Sequence, residues 1–402
     1  MRRSVAWNLP QPMFSALERP GLSRGKTLPQ LDALRGVAIL AVFTQHLGDR
    51  FLPLVRNAVQ TSMPGALVPW ILTVLHHAWW GVDLFFVLSG FSLSLSWLRS
   101  GRSSTQTFFL RRAARILPGY YVALLVTLVF HHSIVSQNHF IPAFLMHLVV
   151  LQGYFSIGGI VFIGATWSLT TEISYYLLFP WLQRGVASKE RRIVVAMGLL
   201  VLGVWCVRAM LHEASLGSGI FAGMLESTQR RWIVSRLDQF VLGALAARLF
   251  LHWETSAHAA RLARWVFPAS IVGLIVAFRL EGLYYYEHGG GFPYALLSLV
   301  TTSVVLSACL SQGRLARFIA PRPLTFVGMV SYGVFLYHQL ALGLCDLEGN
   351  SPPTWTNLLR TATLALVSSL AVGYLSWVFI EKKAMMWANL KLPARASKPP
   401  SE

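Results

Sequence analysis

Leu31-Asp-Ala-Leu-Arg-Gly-Val-Ala-Ile-Leu-Ala-Val-Phe-Thr-Gln-His46 is the stretch on which the reading of this chain turns. It has the apolar density of a membrane helix, with one permanent cation near its start, Arg35, and one imidazole near its end, His46. At 1.5 Å per residue a helix separates these two by about 16 Å, half the hydrocarbon thickness of a bilayer. Ionisable groups at that depth are costly and generally serve a function.

The rest of the composition agrees with a membrane setting. Of 402 residues, 54% are hydrophobic and only 12% charged, against about 25% charged in ordinary soluble domains. Mean hydropathy is +0.54. The net charge of +18 first suggests a nucleic-acid partner. However, the basic residues fall between apolar runs and form no interleaved basic–aromatic patch. They read as cytoplasmic loops obeying the positive-inside rule, and no nucleic-acid partner is expected. Cys206, Cys309 and Cys345 are scattered through apolar segments with neither CxxC nor zinc spacing, so neither a disulfide framework nor a metal site is expected.

Working outward from the first apolar stretch gives an all-α polytopic integral membrane protein. Residues 1–29 read as a basic cytoplasmic tail without a cleavable leader, 30–383 as the membrane domain, and 384–402 as a basic cytoplasmic tail. About ten spans are expected, near 30–48, 76–98, 116–134, 166–183, 193–211, 232–250, 265–280, 293–311, 323–345 and 358–380. Segment 49–75 is expected to be broken by Pro53, Pro64 and Pro69, with its apolar middle on the membrane surface, and Pro118 should sit in the first turn of its helix. Residues 135–165 are apolar but interrupted by Pro142, Gly153, Gly158, Gly159 and Gly164, and lack Lys, Arg, Asp and Glu. A span at 141–155 would put the next basic loop on the wrong side, so this part is expected to be re-entrant or non-spanning. On this plan the basic residues lie overwhelmingly on one side, which places both termini in the cytoplasm, as in a bacterial inner membrane.

A few ionisable side chains at membrane depth could carry chemistry. His46 suits a general base: a neutral imidazole can take a proton from a hydroxyl attacking a carbonyl. Arg35 suits an anionic ligand, and equally a snorkelling anchor or an ion pair with Asp32 three residues before it. Arg112 and Arg115 share a helix face; their forks match phosphate, and the alternative is a cytoplasmic charge cluster that only sets topology. Glu172, in Trp167-Ser-Leu-Thr-Thr-Glu172, fits three roles: orienting a histidine, binding an acceptor, or pairing with an arginine. Asp83 and Asp238 read similarly, with Arg236 a structural partner for Asp238. In Ser331-Tyr-Gly-Val-Phe-Leu-Tyr-His338, His338 offers a second imidazole. There is no P-loop, GxSxG elbow, HExxH or GxGxxG before a helix, and Ser89 in Ser89-Gly-Phe91 is not a hydrolase nucleophile.

Five fragments in order resemble the membrane acyltransferase-3 family of O-acetylases that modify cell-surface glycans and some antibiotics. They are Leu31-Asp-Ala-Leu-Arg-Gly-Val-Ala with His46, Gly81-Val-Asp-Leu-Phe-Phe-Val-Leu-Ser-Gly-Phe91, Arg111-Arg-Ala-Ala-Arg-Ile-Leu-Pro118, Trp167-Ser-Leu-Thr-Thr-Glu172 and Ser331-Tyr-Gly-Val-Phe-Leu-Tyr-His338. The resemblance implies ten spans and acyl-CoA, most simply acetyl-CoA, as donor substrate, with no permanently bound cofactor. It matches the family's donor-site arginines to Arg35, Arg112 and Arg115 and its catalytic histidine and acid to His46 and Glu172; Asp83 and His338 are expected to support them from the reading of the residues above. Two departures are Thr-Thr-Glu where the family often has Ser-Val-Glu, and Ile-Glu381-Lys-Lys where it has Ile-Glu-Arg-Pro. No hydrolase-like segment follows residue 383 in this sequence, so the reaction is expected to finish in the membrane domain or with a partner protein.

The expected function is transfer of an acyl group to a hydroxyl of a sugar-containing acceptor. The partners expected are acyl-CoA, the glycan or other hydroxyl acceptor, and the bilayer. Acceptor choice is assigned to segments 49–75, 212–231 and 281–292, where Tyr284, Tyr285 and Tyr286 could stack on sugar rings. The competing reading is a proton-coupled transporter or flippase, against which no inverted repeat is visible.

Overall fold

The computed structural model describes residues 28–100, 104–131, 135–155, 161–187, 191–215, 220–287, 291–345 and 354–391. Among these, every regular element is helical. In chain order the helices are α1 (Pro29–Ser62), α2 (Val68–His76), α3 (Trp80–Ser100), α4 (Thr105–Phe130), α5 (Phe140–Leu148), α6 (Trp167–Val186), α7 (Arg191–Ser215) and α8 (Ile220–Arg231). They continue as α9 (Leu237–Trp253), α10 (Ala257–Glu287), α11 (Gly291–Leu310), α12 (Gly313–Ile319), α13 (Arg322–Met329), α14 (Ser331–Cys345), α15 (Trp355–Ser376) and α16 (Lys382–Lys391).

By length and composition, five described helices are able to cross a membrane: Val68–Arg99, Thr105–Phe130, Val194–Ser215, Ala257–Leu280 and Trp355–Lys391. The pair α13–α14 makes a sixth if its 77° bend counts as one broken span. This is a multi-pass membrane protein, and the sequence-based count of about ten spans is not reached by this criterion. Of the helices that fall short, α9 has only 17 residues and α11 only the shorter apolar stretch Tyr294–Leu310, while α1 and α6 carry polar and charged groups that lower their hydropathy and help build the site below.

α1 begins with proline at its first turn, where the missing N–H costs nothing, and with Asp32 at the positive end of the helix dipole. It runs 34 residues to Ser62 and passes straight through Pro53, so the break expected at Pro53 is absent. Two of its faces are buried. Leu31, Leu34 and Ala38 pack with Trp80, Leu84 and Val87 of α3, while Ile39 and Val42 pack with Val330, Val334 and Trp377. The chain is therefore folded around its first helix.

Close approach of α3 and α9 rests on two glycines. A Cβ on Gly90 would lie 2.1 Å from the Phe240 carbonyl oxygen, and one on Gly243 would lie 2.2 Å from that of Val87. Small residues at such crossings replace the hydrophobic driving force that is missing in lipid. Beside this contact, Phe240 stacks on Tyr175 of α6 at 4.1 Å and meets Phe86 of α3 at 4.8 Å between centroids, tying three helices together.

Several element boundaries differ from the sequence reading. α4 starts at Thr105, capped by the Ser104 hydroxyl accepting from Thr107 N–H. Arg112, Arg115 and Pro118 therefore lie well inside a helix, and Pro118 is not in its first turn. Segment 212–231 contains a helix, α8. α10 continues to Glu287 across part of the expected 281–292 loop, whose side chains, including Tyr284 to Tyr286, lie outside the described residues. So do the tails 1–27 and 392–402. In segment 135–165, α5 has nine residues, about 13 Å, too short to span. Left-handed His139 and Val150 bracket it. Tyr120 and Tyr121 hydroxyls donate to the His147 and Leu148 carbonyls at 2.9 and 2.8 Å, satisfying its last turn from α4.

Candidate active site

Near the start of α1, Arg35 donates to Asp32 Oδ1 at 2.8 Å and to Ser92 Oγ of α3 at 2.7 Å. The ion pair left open by the sequence therefore forms, with a hydroxyl added. From α4, Arg115 lies within electrostatic reach of Arg35, and Arg112 within reach of Arg115 and Glu172. Arg112 also sits over the Phe108 ring, 5.9 Å from its centroid, and its Nε is buried without a hydrogen-bond partner among the described residues. Three arginines from two helices thus meet two carboxylates, Asp32 and Glu172, which leaves one net positive charge.

Glu172 Oε1 accepts from Ser89 at 2.8 Å and from Tyr176 at 2.5 Å. The carboxylate faces the arginine group, which also reaches it electrostatically. Its hydrogen bonds go to hydroxyls of α3 and of its own helix, and not to an imidazole. Of the three roles open in the sequence, none is met by a direct contact among the described residues; the arginines act on Glu172 through their charge alone.

Eleven residues along α1, His46 meets the second imidazole. His338 is buried, and its Nδ1 lies 2.9 Å from the Phe335 carbonyl oxygen and 3.1 Å from that of Val334. Carbonyls only accept, so we assign the proton of neutral His338 to Nδ1, which leaves a lone pair on Nε2. That nitrogen is 3.2 Å from His46 Nδ1, which also lies 2.8 Å from the Val42 carbonyl oxygen. Both neighbours of His46 Nδ1 accept. Its proton therefore belongs on Nδ1, shared between them, and His46 Nε2 is left basic. The rings meet edge to face at 62°, with centroids 4.9 Å apart.

The residue after His338 is also used. Gln339 Oε1 accepts from Ala165 N–H at 2.9 Å, which fixes the short 3₁₀ turn Gly164–Thr166 that opens into α6. One helix thereby positions both the second imidazole and the entry to the Glu172 helix.

A second polar group lies at the His46 end of the bundle. A Cβ on Gly81 would touch Ala38 and Val42 of α1, so Asp83 begins α3 close to the turn that carries His46. Asp83 Oδ1 accepts from Arg236 Nη1 at 2.7 Å, and Asp238 Oδ1 from Arg208 Nη2 at 2.9 Å. Trp205 and Ser298 complete Asp238 through Oδ2, at 2.9 and 2.7 Å. The pairing expected between Arg236 and Asp238 is exchanged. The two are only two residues apart at the start of α9 and point to different partners, and Arg208, which the sequence reading passed over, takes Asp238. A single arginine within the apolar 193–211 run was the available clue. Among the described residues no three His, Cys, Asp or Glu side chains come together to hold a metal ion.

Comparison with known proteins places the chain in a family. The acyltransferase domain family, type 3, matches residues 28–378. The chain belongs to the membrane acyltransferase-3 family. It is 23% identical to the peptidoglycan O-acetyltransferase OatA of Listeria monocytogenes over 90% of this chain and 59% of that protein. It is 26% identical to nodulation protein 10 of Rhizobium leguminosarum over 79% of this chain and 84% of that one. The chain thus spans about three fifths of the Listeria protein. No solved structure matches. The acyltransferase-3 match covers both ends of the site, the arginines of α1 and α4 and the imidazole of α14.

Proposed function

We propose that this chain is a multi-pass inner-membrane O-acyltransferase with cytoplasmic termini. In this reading it moves an acyl group, most simply acetyl, from acyl-CoA to a hydroxyl of a sugar-containing acceptor. The observation that carries the reading is the arrangement on α1: an imidazole with its Nδ1 proton held by Val42 and His338, about 16 Å along the same helix from an arginine cluster.

In the proposed reaction, phosphates of the donor meet Arg35, Arg112 and Arg115, whose forks suit phosphate oxygens. Glu172 keeps these arginines apart and in place. The thioester reaches His46 through the bundle. His46 Nε2 removes the acceptor hydroxyl proton as that oxygen attacks the thioester carbonyl. While the ring is protonated, His338 Nε2 accepts from His46 Nδ1. Collapse of the tetrahedral adduct breaks the carbon–sulfur bond, and His46 returns the proton to the leaving thiolate. Ester and free thiol are the products, and the ring ends neutral.

The relatives named above support the reaction class, since one carries O-acetyltransferase in its name. The test is purified chain in detergent with acetyl-CoA and glycan acceptors, scoring free thiol and acetyl ester together. Matched release of thiol and ester is the expected result. No thiol release and no coenzyme A binding would sink the donor assignment.

A further inference from the structure

We infer that the buried group formed by Asp83, Arg208, Arg236 and Asp238 is a binding subsite for an uncharged, polyhydroxylated ring. The inference rests on the O-acyltransferase reading, in which it becomes the acceptor's seat beside His46.

All four side chains are almost fully buried, Arg208 and Asp238 at 1% and 0% exposure, in a membrane protein where such burial is costly and marks function. Their charges cancel, yet not every polar atom is used. Asp83 Oδ2, Arg208 Nε and Nη1, and both amide atoms of neighbouring Gln239 are buried without a hydrogen bond of good geometry among the described residues, although Gln239 lies near enough to Asp83 to act on its carboxylate. Leaving such atoms unmatched in a buried site is costly, and here several of them converge on one group.

The unused atoms of Asp83 and Arg208 define what fits. One is an acceptor and two are donors, and they are contributed by different helices, α3 and α7. A hydroxyl both donates and accepts, so adjacent hydroxyls of one ring can give a proton to Asp83 and take hydrogen bonds from Arg208. A phosphate offers acceptors only and would face two carboxylates in a group with no net charge. Tyr294 of α11 holds both forks in place: the Arg208 and Arg236 guanidinium carbons lie over its ring, 5.1 and 5.5 Å from the centroid. Arg208 is braced on its far side by the Ser235 carbonyl, and Arg236 by that of Arg230 at 2.8 Å.

The site sits at the right end of the molecule. Asp83 opens α3, Arg236 and Asp238 open α9, Tyr294 lies in the first turn of α11, and Arg208 is near the close of α7. Gly81 brings this level of the bundle against Ala38 and Val42 of α1, one turn before His46. The arginine cluster with Glu172 occupies the other end of α1.

The test measures binding without any donor, so that it does not depend on acyl transfer. The full chain in nanodiscs is titrated with methyl N-acetyl-β-glucosaminide and methyl β-glucoside by saturation-transfer NMR, with glucose 6-phosphate and cyclohexanol as comparisons. Coenzyme A binding is measured in parallel as a check of the fold. Wild type should bind a methyl glycoside in preference to both comparisons. Asp83→Asn and Arg208→Lys should each weaken that binding about ten-fold, while coenzyme A affinity stays within about two-fold. Should Asp83→Asn lose coenzyme A as well, the double variant Asp83→Asn/Arg236→Gln, which removes both charges of the pair together, decides in its place.

Tighter binding of glucose 6-phosphate, unchanged glycoside binding in the variants, or no glycoside binding by a wild type that holds coenzyme A would each overturn the inference. Glycoside binding by a wild type that releases no thiol from acetyl-CoA would instead overturn the donor assignment and leave this subsite standing.

Discussion

His338 Nε2 stands 3.2 Å from His46 Nδ1, and the two rings come from helices 292 residues apart in the chain. His338 is itself oriented by two backbone carbonyls. It occupies the position at which many hydrolytic sites use a carboxylate: it accepts the Nδ1 proton of His46 and so leaves Nε2 as the basic nitrogen. A neutral imidazole does this without adding a charge to the membrane interior.

Removing that acceptor should slow chemistry more than it weakens binding. His338→Ala is expected to lower kcat by roughly 10–100-fold, the usual cost of losing a group that orients a ligand or base, with the donor KM nearly unchanged. His338→Gln, whose side-chain oxygen can accept from His46, should recover part of the loss. Equal kcat in His338→Ala and wild type would remove His338 from the mechanism.

His46 itself should be required. His46→Ala is expected to reduce acyl transfer by about 10²–10⁴-fold, the range for a lost general base, and to leave coenzyme A binding intact. Transfer at the wild-type rate by a folded His46→Ala protein would show that another group takes the proton.

The arginines should act on affinity. Arg115→Ala is expected to raise the donor KM by about ten-fold with a small change in kcat, and to make the remaining binding less sensitive to salt. A fall in kcat at constant KM would contradict phosphate docking at this cluster.

Helix packing offers a test free of activity. A Cβ at Gly90 would meet the Phe240 backbone at 2.1 Å, whereas one at Gly198 would meet nothing within 4 Å. Gly90→Ala should lower the thermal midpoint in detergent, in line with overpacking costs of about 1–3 kcal/mol, and Gly198→Ala should leave it unchanged or raise it slightly. Equal midpoints for the two variants would mean that α3 and α9 yield more readily than their contact suggests.

What could be read from the sequence divides along physical lines. Helices with uninterrupted apolar runs, such as α7, α10 and α15, were legible because hydropathy alone defines them. α1 was legible as a helix with chemistry at both ends, but its far end was not: Pro53 normally ends a helix, and here the helix continues through it. The 77° bend between α13 and α14 was hidden inside one apolar run, since a bend changes direction without changing composition. Pairings were the least accessible. Arg236 and Asp238 are close in sequence and part in space, while Arg208 finds Asp238 from another helix. Only the packing of α7, α9 and α11 decides such partners. Ser92 and Gln339 were missed, and Ser89 was weighed only as a nucleophile, because nothing in a single sequence distinguishes a hydroxyl or amide that braces a site from one that does not.

The imidazole of His46 stands near the midpoint of an unbroken 34-residue helix buried on two sides. If His46 is the base, as proposed, it is a stator. Exchange of donor and product then falls to the short pieces around it: α5 between its two left-handed residues, the turn at Gly164, and α8 beside the Arg236 end. Substitutions in those pieces should alter how often the reaction repeats, and those in α1 whether it happens at all.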